Sequence, residues 1–79
     1  MIKEEVRFML LNIINEIKCE KNEEKIKMLD DSLLLREDLN LDSFDLAILT
    51  AKIENKYDID VFEDGIVRTI GEVLNRLDK

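Results

Sequence analysis

Apolar residues near the start of the chain recur every three or four positions. This spacing puts them on one face of a helix and predicts a helix from about residue 2 to residue 19. Glu4 and Glu5 near the predicted start, and Lys18 and Lys21 near its end, suit the helix dipole. The apolar stripe consists of Ile2, Val6, Met9, Leu10, Ile13, Ile14 and Ile17.

The segment from residue 22 to residue 42 is apolar in places but shows no sustained period. Such a segment predicts a long loop that packs onto helices, because a solvated linker would not carry so many leucines. Loops of this length are uncommon inside small domains and are often functional. Its apolar residues include Ile26, Leu29, Leu33, Leu35, Leu39 and Leu41.

A helical period returns over residues 43 to 56. Asp42 and Asp45 have the D-x-x-D spacing of an N-terminal cap for this second helix. Its apolar face consists of Leu46, Leu49, Ile53 and Tyr57.

The end of the chain predicts one more main helix. Thr69 is followed three positions later by Glu72, which is the spacing of a capping box. The helix that begins there has Val73, Leu74 and Leu77 on its inner face. The connecting region before it has room for one short helical turn, and its apolar residues are Ile59, Val61, Phe62, Ile66 and Val67.

Length and composition agree with helices in a single domain. The chain has 79 residues, no proline and only two glycines, while Leu, Ile, Lys and Glu are abundant. This composition favours helices over a sandwich or barrel. We therefore predict an all-α bundle of three main helices plus a short helix, with a long first loop, in one domain over residues 1–79.

The charge balance narrows the class of partner. A net charge of −7 argues against nucleic acid, because phosphate binding needs clustered Lys and Arg. The same charge suits steering towards basic protein surfaces. No apolar run approaches the roughly 20 residues of a membrane span, and charged residues interrupt any signal-peptide core, so we expect no membrane insertion. The single Cys19 fits a reducing compartment, and we expect a cytoplasmic protein.

Residues that often carry catalysis or bind metals form no complete pattern. The chain has no histidine, so the usual general base near neutral pH is missing. Asp38, Asn40 and Asp42 have the alternate spacing of a calcium loop. That loop needs Gly and Glu at its sixth and twelfth positions, which here hold Ser43 and Leu49. We therefore expect neither an enzyme nor a metal site.

Residues 38–44, in the middle of the chain, read D-L-N-L-D-S-F. This segment resembles the D-L-G-x-D-S-L attachment motif of the acyl and peptidyl carrier protein family. The resemblance extends over almost the whole chain, from the first helix and long loop to the capped last helix. It implies that Ser43 carries a covalent 4'-phosphopantetheine arm, attached by a phosphopantetheinyl transferase. It also implies that the chain passes thioester-bound acyl groups between acyl-loading and acyl-processing enzymes, as in fatty acid or polyketide biosynthesis.

The chain departs from the family pattern at several positions. Asn40 replaces the usual Gly, but Asn also tolerates a left-handed backbone, so the turn can persist. Phe44 replaces Leu or Met at a position that meets partner enzymes in the family. Ile48 falls where fatty-acid carriers often have a partner-binding Glu, and Lys52 and Lys56 dilute the acidic face of the helix. These departures favour a specialised pathway with its own partners.

Two serines are candidates for the arm. Asp31-Ser32-Leu33 matches the D-S-L triplet more literally, but no D-L-x-x context precedes it and no helical pattern follows. Ser43 lies at a predicted helix start, where the hydroxyl is exposed and backbone N–H groups favour a phosphate. Ser43 is therefore the predicted attachment site. The residues predicted to contact partners are Asp42, Phe44, Asp45, Ile48 and Glu54.

The residues leave several functions open. We expect a freestanding, monomeric acyl carrier, because Met1 opens the first helix without an appended domain. An aminoacyl or peptidyl carrier of the same fold is the nearest alternative, since spacing does not identify the cargo. An alternative from a different class is an unmodified acidic interaction module that has kept the fold. For Ser43 itself, the alternative to an attachment site is an ordinary N-terminal helix cap.

Overall fold

The computed structural model describes residues 4–63, 65 and 67–77. The regular structure of these residues is helical, with one isolated antiparallel bridge between Leu34 and Thr69 and no strand. The all-α fold that the sequence predicts is therefore confirmed. The helices of the described residues are α1 (Glu4–Glu20), α2 (Ser43–Tyr57) and α3 (Ile70–Leu77).

The predicted helix boundaries agree with the structure to within one or two residues. α1 ends one residue later than predicted, while Ile2 lies outside the described residues. α2 begins at the predicted Ser43 and continues one residue further than predicted, to Tyr57. Within the described part of the chain, no helix has both the length and the apolar character that crossing a bilayer requires.

The start of α3 has the predicted capping box. Thr69 Oγ1 accepts a hydrogen bond from the Glu72 N–H at 3.2 Å, and Glu72 Oε1 accepts one from the Thr69 N–H at 3.1 Å. The two residues thus satisfy each other's backbone donors at the helix start. Backbone N–H groups of Arg68 and Thr69 hold the pKa of Glu72 below its usual value.

The core forms where the apolar faces of the three helices meet beneath the long first loop. Each buried leucine or isoleucine contributes roughly 1.5–3 kcal/mol relative to exposure. The loop leucines are buried with the helical residues, which confirms that this segment packs onto the helices. The buried apolar residues of the loop are Leu29, Leu35, Leu39 and Leu41, and those of the helices are Leu10, Ile13, Ile14, Ile17, Leu49, Ile53, Ile70, Val73, Leu74 and Leu77.

Specific hydrogen bonds fasten the long first loop to the helices. The Asn15 side chain on α1 donates to the Ile26 carbonyl at 3.0 Å and accepts from the Ile26 N–H at 2.8 Å. Near α3, the Gly71 N–H donates to the Asp31 carbonyl at 2.9 Å. A Cβ on Gly71 would lie 3.1 Å from that carbonyl oxygen, so the close approach favours glycine. The loop is therefore held against both α1 and α3.

The connection from α2 to α3 is irregular. Asp58 ends α2 in the left-handed conformation (φ 57°), and its N–H donates to the Glu54 carbonyl at 2.8 Å. Residues 61–63 form a turn where the sequence predicts a short helix, and Ile66 lies outside the described residues. Val61 and Val67 are both buried, so this connection packs on the core.

Candidate functional site

Ser43 is the first residue of α2 and is exposed. Among the described residues, none forms a hydrogen bond with its hydroxyl group. The first N–H groups of a helix have no carbonyl partner within the helix and create a positive end. Ser43 therefore offers an accessible hydroxyl beside donors that favour a negatively charged substituent.

Asp42, and not Ser43, caps α2. Asp42 has an extended backbone, and its Oδ1 accepts a hydrogen bond from the Asp45 N–H at 2.9 Å. In return, Asp45 Oδ2 accepts one from the Asp42 N–H at 3.1 Å. This is the reciprocal capping box that the D-x-x-D spacing predicts. The reading of Ser43 as an ordinary cap is thus not supported, because its neighbour already fills that role.

Asn40, three residues before Ser43, has a left-handed backbone with φ 57°. The carrier motif has Gly at this position, and Asn is the non-glycine residue best able to replace it there. The expectation that the turn persists with Asn is therefore confirmed. The side chain adds a contact that Gly lacks, because Asn40 Nδ2 donates to Glu23 Oε2 at 2.9 Å.

Two lysines contact this turn: Lys18 in the last turn of α1 and Lys21 directly after that helix. Lys18, only 6% exposed, donates from Nζ to the Leu39 carbonyl at 2.7 Å. Lys21 donates from Nζ to the Asn40 carbonyl at 2.7 Å and to Asp45 Oδ2 at 2.6 Å. The Glu23 carboxylate lies 3.3 Å from both ammonium groups. The turn before Ser43 is therefore held by charge-assisted hydrogen bonds.

The pKa values in this network favour the charged forms. Burial alone would raise the pKa of Asp45, but the bonds from Lys21 and from the Asp42 N–H outweigh it and lower that pKa. Burial alone would also raise the pKa of Glu23, but the contacts from Lys18, Lys21 and Asn40 outweigh this effect and lower that pKa. The hydrogen bond to Asp45 raises the pKa of Lys21 against the effect of its burial. All three groups are therefore ionised near neutral pH.

Asp45 requires a correction to the predicted partner surface. It is only 4% exposed, and its carboxylate is engaged by Lys21 and by the Asp42 N–H. Its position in the first turn of α2 directs it inward, towards the end of α1. Asp45 therefore braces the helix start and does not belong to the exposed surface.

The other predicted partner residues differ in exposure. Phe44 is 74% exposed, which is unusual for a large apolar side chain, and Asp42 is exposed beside it. Ile48 is half-buried and packs against the core. Glu54 is exposed and lies about three turns along α2 from Ser43. The accessible part of the predicted surface is thus Asp42, Phe44 and Glu54.

An open groove of about 1040 Å³ begins at Ser43 and runs along α2. Part of its lining is a stripe of α2 residues at helical spacing, and the rest comes from the first loop and from the connection between α2 and α3. Sequence reasoning missed this groove. Its signal was the small Ala47 and Ala51, which follow Ser43 at steps of four. The lining includes Ser43, Ala47, Thr50, Ala51 and Glu54 of α2, together with Leu34, Arg36, Phe62, Val67 and Arg68.

Ser32, the competing serine, has a different environment. It lies in a turn, and its hydroxyl donates to Asp30 Oδ1 at 2.8 Å. Hydrogen bonds from the Ser32 N–H and hydroxyl hold the pKa of Asp30 below its usual value. Ser32 is therefore neither at a helix start nor on the groove that begins at Ser43.

Comparison with protein-family models, with curated proteins and with solved structures finds no match. The features that bear on function are therefore the motif around Ser43 and the geometry of the start of α2. Both point to the same residue, since the serine of the motif is the exposed serine at the start of α2.

Proposed function

We propose that this chain is an acyl carrier that holds acyl groups as thioesters on a 4'-phosphopantetheine arm attached to Ser43. The observation that carries the proposal is the position of Ser43. It is an exposed serine directly after the capping Asp42, at the mouth of a groove, in a segment that resembles the carrier attachment motif.

The residues around Ser43 fit a phosphodiester at its hydroxyl. First-turn N–H groups favour the phosphate, and the hydroxyl is not occupied by a bond to the described residues. The carboxylate of Asp45 would repel a phosphate, but Lys21 neutralises it at 2.6 Å. Asp42 remains as an exposed negative neighbour. When attached, the arm supplies a terminal thiol that carries the acyl group.

Activation of the Ser43 hydroxyl is assigned to the transferase. No side chain of the described residues hydrogen-bonds to Oγ, so the chain itself supplies no base there. What the chain contributes is presentation, because it holds the serine at a fixed helix start. A flexible tether from that point raises the effective concentration of the cargo at each partner enzyme.

The proposed partner surface surrounds the attachment point. Phe44 projects an apolar ring next to Ser43, and exposed aromatic residues are frequent anchors in protein interfaces. The net charge of −7 favours partners with basic surfaces. Lys52, which dilutes the acidic face of α2, lies 3.5 Å from Glu16 of α1. This mixed surface favours dedicated partner enzymes of a specialised pathway.

The proposal also includes a compartment and an oligomeric state. A reducing cytoplasm suits the exposed, free Cys19 and the thiol of the proposed arm. A monomer is favoured because a carrier must present Ser43 and the α2 surface to several enzymes in turn.

The test is intact-protein mass spectrometry after incubation with coenzyme A and a broad-specificity phosphopantetheinyl transferase. Wild type, Ser43→Ala and Ser32→Ala are run side by side with a known carrier as the positive control. We expect one added arm on wild type and Ser32→Ala and none on Ser43→Ala. An unmodified wild type beside a modified control would favour the interaction module, and loss only in Ser32→Ala would assign the arm to Ser32.

A further inference from the structure

Lys21 forms two hydrogen bonds, one to a residue before Ser43 and one to a residue after it. Its ammonium group binds the carbonyl of Asn40, three residues before the serine, at 2.7 Å. It also binds the carboxylate of Asp45, two residues after the serine, at 2.6 Å. One cation from the end of α1 thus fixes both flanks of the proposed attachment point.

The contact with Asp45 continues into the helix cap. Asp45 Oδ2, which accepts from Lys21, also accepts from the Asp42 N–H. Orientation of that carboxylate by Lys21 therefore supports the capping box and, through it, the backbone on both sides of Ser43. Ordered groups that are themselves held by further hydrogen bonds position a site better than single contacts.

Glu23 completes the arrangement. Its Oε2 lies 3.3 Å from Lys21 Nζ and accepts from Asn40 Nδ2 at 2.9 Å, while Oε1 faces Lys18. It therefore balances two neighbouring ammonium groups and binds the left-handed residue directly. Without it, Lys18 and Lys21 would repel each other next to the turn.

We infer that Lys21 and Glu23 are positioning residues that hold the backbone of Ser43 in the arrangement in which its hydroxyl is modified. Removal of Lys21 leaves the nearly buried Asp45 carboxylate without its cation, and such a group is costly. The cap then opens more often, and the fraction of molecules with Ser43 correctly presented falls. An apparent rate that depends on that fraction falls with it. The effect on modification rests on the proposed function, whereas the effect on backbone order does not.

The first test measures backbone order by amide hydrogen exchange in Lys21→Met, Lys21→Arg and a matched control, Lys27→Met. Lys27 is exposed and forms no ion pair within the described residues. In Lys21→Met we expect the amides of Asp42, Asp45 and Leu46 to exchange at least about tenfold faster, as in local opening of a helix end. Core amides such as those of Ile53 and Leu74 should change much less. Exchange at the three amides no faster than in Lys27→Met would overturn the inference.

The second test measures kcat/KM for transfer of the arm to the same variants and to Glu23→Gln. We expect Lys21→Met to lose at least about threefold in proportion to the lost competent fraction, with Lys27→Met close to wild type. Lys21→Arg, which retains the cation, should recover most of the loss, and Glu23→Gln should show an intermediate loss. Faster exchange without slower transfer would refute the positioning role. Failure of wild type to accept any arm would refute the proposed function instead. The exchange data alone would then decide whether Lys21 orders the backbone around Ser43.

Discussion

Lys21 Nζ and Asp45 Oδ2 lie 2.6 Å apart although 24 residues separate them in the sequence. The contact joins the end of α1 to the first turns of α2, across the whole of the long loop. Because Asp45 also completes the cap with Asp42, a tertiary ion pair and a local helix signal share one carboxylate.

This shared carboxylate makes stability depend on pH. The folded-state pKa values of Asp45 and Glu23 are lowered from their usual 3.8 and 4.5, so both groups stabilise the fold above those values. That stability is lost as the pH falls from the usual values through the lower folded values. We expect the free energy of unfolding, measured in urea, to decline between about pH 5 and about pH 2. Asp45→Asn, whose side chain does not titrate, should show a shallower decline; an equal decline would contradict the assignment.

Removal of the cap tests the local part of the same site. Asp42→Ala eliminates the acceptor for the Asp45 N–H, and we expect a loss of about 1 kcal/mol in the free energy of unfolding. Asp42→Asn and Asp42→Ser keep a capping oxygen and serve as matched controls. Equal stability of the alanine and serine variants would show that the box contributes nothing.

The left-handed turn is tested by two substitutions at Asn40. Both Gly and Ala remove the bond from Asn40 Nδ2 to Glu23, but only Ala is strained at φ 57°. We expect Asn40→Ala to be less stable than Asn40→Gly by about 1 kcal/mol in chemical denaturation. Because the lost side-chain bond is common to both, the difference reports backbone strain. A more stable alanine variant would mean that the backbone at this position relaxes.

Phe44 is predicted to serve partners and not the fold. Since its side chain is 74% exposed, Phe44→Ala should change the free energy of unfolding by less than about 0.5 kcal/mol. The same change should weaken productive encounters with the transferase, measured as an increase in KM. Phe8→Ala is the matched control, because Phe8 is 62% exposed but lies on α1. Equal kinetics of the two variants would remove Phe44 from the proposed surface.

The sequence predicted the elements that depend on neighbouring residues. Asp42 with Asp45 and Thr69 with Glu72 both form capping boxes, because a box needs only two residues three positions apart. The left-handed backbone of Asn40 could also be predicted from the sequence, because it depends only on the tolerance of Asn for positive φ.

Features that depend on residues distant in the sequence could not be predicted from it. Asp45 was expected on the partner surface, since acidity alone does not reveal that Lys21 covers it. The groove was missed because much of its lining comes from the first loop and from the connection between α2 and α3, which meet α2 only in the folded chain. The apolar period identified the face of α2 that is buried, but it gave no information about what borders the other face.

The contacts made by Lys18, Lys21 and Glu23 mean that the surroundings of Ser43 are built from segments that are separated in the sequence. A peptide of residues 38–57 would contain the whole attachment motif and the sequence of α2, but it would lack Lys18, Lys21 and Glu23. Such a fragment would lose the contact of Lys21 with Asp45 and the lysine contacts with the carbonyls of Leu39 and Asn40. An enzyme that recognises this turn by its shape would therefore distinguish a folded chain from an unfolded or truncated one, and the proposed modification of Ser43 would then mark chains in which α1, the loop and α2 had already assembled.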